Sequence, residues 1–378
     1  MREFVDGATA IARGAIDAGC TFFAGYPITP ATPILLHMVR ELPKVGGVAI
    51  QAEDEMASIG FCIGAAMAGA KVMTATSGPG LSLYSENIGL GIMGEVPMVI
   101  VDCQRMGPAT GGATTGAQGD VQFIRWGTSG GYPIIALCPT NGPECYSLTI
   151  RAFNLAERFR TPVFLVTSKE MVTARTTVEI SAYEPVEVVE RKVAAEEVEF
   201  IPYGFDRLSD VPAMSPFGGS HIVRFTTSSH DERGYMTKDP AKVDRLNRHL
   251  AAKIEEHLDE IALVKADMQK GARVLMVSYG ITARSMLEAV QVARREGVKV
   301  SALTVYSLWP VPEKEIAAAL KGIEKVVVPE LNLGQYRREI ERVAAGWAGP
   351  HGPAVVGVNR VDGELISPAE ILEGGGIL

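Results

Sequence analysis

The clearest signal of the fold is residues 71–104, which read KVMTATSGPGLSLYSENIGLGIMGEVPMVIVDCQ. The apolar runs Lys71–Thr76 and Pro97–Asp102 have the length of buried strands, and a helix-like segment lies between them. Short strands that alternate with longer helices are typical of βαβ units, whose parallel sheet is covered on both faces. The stretch therefore predicts an α/β protein built on a doubly wound parallel sheet.

The same alternation continues on both sides of this stretch. Helices are predicted at Gly7–Ala18 and Glu55–Ala68, and further strands at Ile134–Cys138 and Pro162–Thr167. Glycine and proline cluster at the ends of these strands, where α/β proteins place their functional loops. We therefore predict a first domain over residues 1–178.

A change in composition separates this domain from a second α/β unit. Residues 179–268 are predicted to form a connector with strands and one long helix, which starts at Asp239-Pro240 and runs to about Met268. Residues 269–378 are predicted to form a smaller doubly wound domain. Its predicted strands are Val274–Ser278, Val298–Tyr306 and Lys325–Pro329, and its predicted helices are Ala283–Glu296 and Glu313–Lys321.

Composition limits the classes of function. A net charge of -8 over 378 residues provides no basic excess to neutralise phosphates, which argues against a nucleic-acid partner. No apolar run of about eighteen residues is present, so no membrane span is predicted. The N-terminus lacks the apolar region of a secretory signal, and the five cysteines are scattered without a C-x-x-C pair. We expect a cytoplasmic protein with reduced thiols that ligate no iron–sulfur cluster.

One glycine motif is misleading. Residues 89–94, GLGIMG, match the pattern G-x-G-x-x-G. A dinucleotide fingerprint follows a strand and opens a helix, so that the pyrophosphate meets the helix N-terminus. These glycines instead end a predicted helix and precede the strand Pro97–Asp102, so we reject an NAD site.

The segment GYPITP, residues 25–30, is a candidate binding loop. Its two prolines keep it out of a helix or a central strand. It follows the apolar residues Thr21–Ala24, so Thr29 is expected at the carboxyl end of a strand, where a hydroxyl can meet an anion. Local chemistry alone favours the alternative, in which Thr29 only caps the next helix.

Three acids, EDE at residues 53–55, precede a helix of small and apolar residues. Helix capping explains at least two of them, because the helix dipole favours acids at its N-terminus. Gly60, Gly64 and Ala68 recur at four-residue spacing and form a smooth face that another backbone can approach closely, as at a subunit interface. A carboxylate at the start of such a helix can be held dry, where its pKa can be tuned.

Arg105 is a candidate anion-binding residue. It directly follows the buried strand Val99–Cys103 and is expected to point into the crevice where ligands bind in such folds. Its planar guanidinium suits a carboxylate. The loop that continues to Asp120 has too little apolar mass to fold for itself, which favours a functional loop. We favour anion binding over the alternative that Arg105 only pairs an acid such as Asp102.

Four ordered motifs closely resemble the alpha subunits of 2-oxoacid:ferredoxin oxidoreductases. They are YPITP (26–30), QAEDEMASI (51–59), TATSGPGLSLYSENIG (74–89) and QRMGPATGGATTGAQGD (104–120). The similarity continues at NLAER (154–158), resumes at LWP (308–310) and ELNLGQ (330–335), and mainly excludes residues 180–215. The four motifs together are specific for the family, whereas any one of them alone is a weak signal.

The resemblance implies a role for each matching residue. The first domain would bind the pyrimidine part of thiamine diphosphate, and residues 269–378 would be a transketolase-C-like domain. Glu55 matches the family's glutamate that bonds the aminopyrimidine and is the expected catalytic residue. Thr29 and Arg105 match the residues that hold the substrate carboxylate, and Thr114 matches a threonine of the same pocket. Further contacts to the cofactor are expected from Tyr26, Pro27, Ile28, Ser77 and Gly78.

The implied reaction is oxidative decarboxylation of a 2-oxoacid to acyl-coenzyme A and carbon dioxide, with electrons passing through iron–sulfur clusters to ferredoxin. The EDE-x-A-S-I, S-x-x-ENIG and QR-x-GP-x-TG patterns most resemble the 2-oxoglutarate enzymes. Ala109 and Ala113 stand where the family usually has Ser and Pro, and residues 226–232 also depart from its pattern. The same mechanism on pyruvate or a branched-chain 2-oxoacid therefore stays an alternative.

The chain lacks the rest of a complete thiamine diphosphate site. A GDG motif with a later asparagine is needed for magnesium and the diphosphate, and this chain has only Gly119-Asp120-Val121. The resemblance implies that a beta subunit supplies the Mg²⁺ site and a [4Fe-4S] cluster, with or without gamma and delta subunits, and no metal site is expected here. The alternatives are a thiamine enzyme component that does not reduce ferredoxin and a non-catalytic assembly subunit.

Overall fold

The structure is a computed structural model that describes residues 2–179, 186–348 and 352–378. Residues 180–185 of the predicted connector lie outside the described residues. The described strands form three sheets of two, five and seven strands, and the two larger sheets are mainly parallel. The predicted α/β fold class is confirmed.

The first half of the chain alternates strands and helices. Its strands are β1 Arg2–Asp6, β2 Phe22–Gly25, β3 Val48–Gln51, β4 Val72–Thr76, β5 Met98–Gln104, β6 Ile135–Leu137, β7 Pro162–Ser168 and β8 Arg175–Glu179. Its helices are α1 Gly7–Asp17, α2 Thr32–Glu41, α3 Glu55–Met67, α4 Gly78–Met93, α5 Val121–Trp126, α6 Gly142–Phe159 and α7 Lys169–Thr173, with a 3-10 turn at Leu42–Val45.

The second half adds a smaller unit of the same kind. Its strands are β9 Val264–Asp267, β10 Val274–Ser278, β11 Val300–Val305, β12 Ser307–Trp309, β13 Lys325–Glu330 and β14 Ala354–Asn359. Its helices are α8 Pro240–Glu255, α9 Leu258–Ile261, α10 Gly280–Arg295, α11 Glu313–Ala319, α12 Arg337–Ala348 and α13 Pro368–Gly374.

The seven-stranded sheet has the order β12-β6-β7-β5-β4-β2-β3. Strands β2 to β7 pair in parallel, and in this register Thr76 at the end of β4 lies beside Asp102 of β5. Because parallel strands end at the same edge of a sheet, the loops that follow β2, β4 and β5 meet there. The βαβ unit predicted from residues 71–104 is present.

One strand from the second half of the chain joins the sheet of the first unit. The five-stranded sheet has the order β14-β13-β10-β11-β9, whereas β12 leaves the second unit and pairs with β6 at the edge of the first sheet. Next to this pairing, Cys138 N donates to Tyr306 O at 2.7 Å. The second unit is therefore fastened to the first through its backbone.

The connector differs from its predicted form. The helix expected to reach Met268 ends at Glu255, and β9 pairs antiparallel with β11 instead. Pairing with the open edge of β11 satisfies the backbone of residues 264–267, and tertiary pairing of this kind overrides helical periodicity. Residues 186–238 form no helix or strand and contain only isolated bridges, at Val193–Met214 and His230–Met236.

A buried cluster of charges joins the connector helix α8 to the first domain. Glu95 and Lys253 are almost fully buried, and Lys253 Nζ donates to Glu95 Oε2 at 2.7 Å. His249 Nε2 lies 3.2 Å from the same oxygen, and Arg160 Nε donates to the backbone oxygen of Glu95. Burial alone raises the pKa of Glu95, but the Lys253 charge and the His249 hydrogen bond hold it well below its usual range.

We predict that Glu95→Gln destabilises the protein by about 3–5 kcal/mol, because it leaves the buried ammonium of Lys253 without its counter-charge. The change in the midpoint of denaturant unfolding measures this. The exposed pair Lys314–Asp259, joined at 2.7 Å, provides the control, and Asp259→Asn is expected to leave the midpoint unchanged. Equal effects of the two substitutions would contradict this account of the buried cluster.

Candidate active site

The N-terminus of α4 is open to a ligand. Ser77 precedes the helix in an extended conformation, and its side chain makes no capping hydrogen bond. The Ser77 hydroxyl is buried and has no partner. Pro79 lies in the first turn, where a missing N–H costs nothing. The free amides and the helix dipole at this position favour an anion or a hydrogen-bond acceptor.

Glu55 is the first residue of α3, and its side chain lies against α4. The Asp54 side chain caps α3 by accepting from Ala57 N at 2.7 Å, so Glu55 is not needed as the cap. The Glu55 side chain is only 8% exposed and accepts no hydrogen bond from a described residue. It packs against Gly80 of α4, where a Cβ would lie 2.8 Å from Glu55 Cγ. Glycine at position 80 therefore makes room for a buried carboxylate that lacks a protein partner.

Arg105 joins the loops that follow β2 and β5. Its Nη1 donates to Thr29 O at 2.6 Å and its Nη2 to Thr110 O at 3.1 Å, while Nε is buried without a partner. The side chain is buried, and no carboxylate of the described residues forms an ion pair with it. The alternative that Arg105 only neutralises Asp102 is therefore not what the structure contains. A buried cation that is bonded to carbonyls alone retains its charge for an anion.

The β5–α5 loop, residues 105–120, has a compact conformation. Met106 N donates to Thr115 O, and Gly112 N donates to Met106 O. Ala109 has a φ of 53°, a left-handed conformation that is costly for a residue with a side chain and that is found at functional sites. Thr114 is exposed at the outer end of this loop.

A cavity of about 480 Å³ lies between the two domains at this edge of the sheet. Gly78, Arg105 and Asp120 line it from the first domain, and the segment 331–335 lines it from the second. The backbone oxygen of Thr29 accepts a hydrogen bond from Arg105, which lines the cavity. Thr114 and Tyr26 do not line it. Of the predicted residues, the structure therefore brings together Thr29, Arg105 and the start of α4, and Glu55 of α3 packs against α4 at Gly80.

Gln118 fixes the end of the β5–α5 loop to the second domain. Its Nε2 donates to Tyr279 O at 3.2 Å, and its Oε1 accepts from Thr282 Oγ1 at 2.6 Å. Its backbone oxygen accepts from Asn332 Nδ2 at 2.7 Å. Asn332 is held in turn by the buried carboxylate of Glu330. These polar groups are fully buried and bonded to one another, so the loop and the second domain form one rigid wall of the cavity.

Two carboxyl groups at the site were missed from the sequence. Asp102 is completely buried in β5 and Asp120 lines the cavity, and neither belongs to an ion pair. Burial, and then the charge of Asp120, raise the pKa of Asp102 well above its usual range. Burial also raises the pKa of Asp120 to about 6, although the Arg105 charge lowers it. For Asp102, the signal available in the sequence was an acid within a predicted apolar strand.

Metal ligands do not cluster in the part of the chain that the structure describes. No group of three or more His, Cys, Asp or Glu side chains there is arranged to hold a metal ion. The cysteines are free and buried. Among the helices of the described residues, none has the length and apolar character needed to cross a bilayer.

Comparisons with known proteins agree with this architecture. Residues 13–248 match the family described as "Pyruvate flavodoxin/ferredoxin oxidoreductase, thiamine diP-bdg", and residues 272–371 match "Pyruvate:ferredoxin oxidoreductase core domain II". The chain is 43% identical to 2-oxoglutarate synthase subunit KorA of Methanocaldococcus jannaschii, over 98% of each chain. It is 34% identical to ketoisovalerate oxidoreductase subunit VorB of Methanothermobacter thermautotrophicus, over 98% of this chain and 96% of that protein.

A solved structure has the same fold. It is 2-oxoglutarate:ferredoxin oxidoreductase from Magnetococcus marinus with 2-oxoglutarate, coenzyme A and succinyl-CoA bound, and it superposes with a TM-score of 0.91 at 32% identity. The match covers 98% of this chain and 64% of that longer chain. The family matches and the full-length relatives together cover both units of the fold. The chain therefore belongs to the 2-oxoacid:ferredoxin oxidoreductase family as an alpha-type subunit, and its residues 13–248 match that family's thiamine diphosphate-binding domain.

Proposed function

We propose that this chain is the alpha-type subunit of a 2-oxoglutarate:ferredoxin oxidoreductase. The complex would convert 2-oxoglutarate and coenzyme A to succinyl-CoA and carbon dioxide, and would pass two electrons to ferredoxin. The observation that carries this proposal is Arg105, a buried cation that is bonded only to carbonyl oxygens and faces a cavity beside the open N-terminus of α4. Such a group favours an anionic ligand, and the 1-carboxylate of a 2-oxoacid has the matching charge and shape.

The hydrogen bonds of Arg105 also suit a carboxylate that must leave as carbon dioxide. Two of the guanidinium nitrogens already donate to Thr29 O and Thr110 O, so only part of its donor capacity remains for the substrate. A carboxylate held in this way is oriented without being strongly neutralised. Binding that is stronger in the ground state than in the transition state would slow the decarboxylation.

The residues at the start of α3 and α4 fit thiamine diphosphate. When bound, this cofactor supplies the nucleophilic carbon and the electron sink that the side chains of the protein lack. Glu55 would hold its aminopyrimidine, because the carboxylate is buried and lacks a protein hydrogen-bond partner. Ser77 would add a contact, since its buried hydroxyl also has none. Glu55 would then hold and return the proton at the pyrimidine nitrogen.

We further infer that partner subunits complete the site. The outer face of α3, opposite the buried Glu55, is uncovered, with Met56 and Phe61 exposed and nothing within 4 Å of a Cβ on Gly60 or Gly64. A smooth apolar surface beside a buried carboxylate suits a beta subunit that carries the diphosphate with Mg²⁺ and a [4Fe-4S] cluster. Gamma or delta subunits would complete the complex. Buried, free cysteines suit a reducing compartment, and we infer a cytoplasmic location.

The choice of 2-oxoglutarate follows from the relatives. Identity is 43% to a 2-oxoglutarate synthase subunit and 34% to a ketoisovalerate oxidoreductase subunit, each over 98% of this chain. The second relative makes a branched-chain 2-oxoacid the alternative substrate. Viologen reduction by the co-purified complex, with coenzyme A and a panel of 2-oxoacids, tests the choice. Preferred turnover of 2-oxoglutarate supports it, and preference for pyruvate or 2-oxoisovalerate would keep the mechanism and overturn the substrate.

Replacement of Glu55 by glutamine is expected to lower the rate of viologen reduction at least about 100-fold, because the proton at the aminopyrimidine loses its acceptor. Glu53→Gln is the matched control, since Glu53 is an exposed acid two residues earlier. The control should keep the wild-type rate. A Glu55→Gln complex that binds its partners and retains full activity would contradict the assigned role.

Replacement of Arg105 by methionine is expected to lower kcat/KM for the 2-oxoacid by roughly 10- to 100-fold, as for the loss of charge-assisted hydrogen bonds. Arg125→Met is the control, because Arg125 Nη1 also donates to two carbonyls, of Gly131 and Tyr132, away from the cavity. If both substitutions change kcat/KM equally, Arg105 acts only by holding its loop.

The single chain, purified alone and supplied with thiamine diphosphate, Mg²⁺ and coenzyme A, is expected to show no oxidation of any 2-oxoacid. The reason is that the sequence lacks the diphosphate motif, and that no three His, Cys, Asp or Glu side chains of the described residues are grouped to hold a metal ion. Viologen reduction measures this, and addition of the beta subunit should restore it. Turnover by the pure single chain would contradict the proposed division of the site.

A further inference from the structure

The carboxyl groups of the buried Asp102 and the partly exposed Asp120 have no part in the reaction described so far. Asp102 is 0% exposed, and neither of its carboxyl oxygens has a hydrogen-bond partner among the residues that the structure describes. An ionised carboxylate is not stable in such surroundings, and burial together with the charge of Asp120 raises the pKa of Asp102 well above its usual range. Asp102 therefore favours its neutral form, and Asp120 is the member of the pair that ionises more readily.

Asp120 faces the substrate cavity. It lines the cavity with Arg105 and Gly78, and a Cβ on Gly78 would lie 2.9 Å from Asp120 Oδ1. Its Oδ2 is buried and has no hydrogen-bond partner. The carboxyl group thus lies against the first residue of α4, in the space where an anion would meet both the helix N-terminus and Arg105. An ionised Asp120 and a substrate carboxylate would compete for the positive charge of Arg105 and of the α4 N-terminus.

We propose that Asp120 is a positioning residue that couples substrate binding to its own protonation, because only its neutral form leaves the charge of Arg105 to the 2-oxoacid carboxylate. This inference rests on the proposed function of Arg105. Above the pKa of Asp120, binding of one carboxylate would be accompanied by uptake of one proton from solvent onto Asp120. Substrate binding therefore weakens as the pH rises, because the protonated form of Asp120 is lost.

Burial raises the pKa of Asp120 to about 6, although the Arg105 charge lowers it, so the change falls in an accessible range. Asn332 and Gln335, which line the cavity from the second domain, carry no charge. The charged or titratable groups of the surrounding elements are Arg105 and Asp102, the thiols of Cys103 and Cys138, Glu55 on the Gly80 side of α4, and Glu170 across the loop at Gly116. Burial raises the pKa of both thiols, which therefore stay neutral.

The test is the KM of the co-purified complex for 2-oxoglutarate as a function of pH, with viologen as electron acceptor. From about pH 6 to about pH 7.5, the wild-type KM should rise roughly 15-fold, as expected for a ligand that binds only the form protonated at a pKa of about 6. Asp120→Asn cannot ionise and should flatten this profile. Asp102→Asn removes a group that is already neutral and should retain the rise.

A rise in KM that persists in the Asp120→Asn complex would assign the titration to another group and overturn the inference. If that variant does not assemble, calorimetry of the wild-type complex still tests whether substrate binding takes up a proton. The complex is loaded with a thiamine diphosphate analogue that has no reactive thiazolium carbon, and 2-oxoglutarate is titrated in two buffers of different ionisation enthalpy. About one proton should be taken up per 2-oxoglutarate at about pH 7.5, and none would contradict the inference. Failure of the wild-type complex to turn over any 2-oxoacid would instead overturn the proposed function.

Discussion

The site depends on one constraint, which is the burial of the Arg105 guanidinium among carbonyl oxygens at the carboxyl edge of a parallel sheet. Its bonds to Thr29 O and Thr110 O tie the loop after β2 to the loop after β5. Those loops can meet because the parallel register of β2, β4 and β5 brings their ends to the same edge. Burial of a charge without a counter-charge is unfavourable. An anionic ligand at this position would supply the counter-charge of Arg105.

The rest of the structure makes this site rigid on one side and open on the other. Gln118 and Asn332 join the β5–α5 loop to the second domain through buried hydrogen bonds, and β12 adds a backbone connection between the two units. The opposite side, along α3, is smooth and uncovered. This asymmetry fits a subunit that orients the substrate and the pyrimidine of the cofactor while its partners supply the remaining chemistry. Asp120 adds a group whose charge depends on pH to the same cavity.

Much of this arrangement follows from sequence, and the exceptions have physical causes. Periodicity located β4 and β5 within one or two residues and indicated the helix between them, and Thr29 and Arg105 were each expected at the carboxyl end of a strand. Contacts between distant segments were not accessible, because the bonds between Gln118 and Asn332 join residues 214 positions apart. The end of α8 was missed for a similar reason, since β9 forms only by pairing with β11. The position of Thr114 outside the cavity depends on the conformation of a loop that no periodic pattern describes.

A structure of the assembled complex with 2-oxoglutarate bound tests the central claim most directly. We expect the 1-carboxylate within hydrogen-bond distance of Arg105, about 3 Å, with Thr29 beside it and Glu55 against the aminopyrimidine of thiamine diphosphate. Arg105 would keep its bonds to the two carbonyls in that complex. A 2-oxoglutarate bound elsewhere, with Arg105 still bonded only to Thr29 and Thr110, would contradict the account.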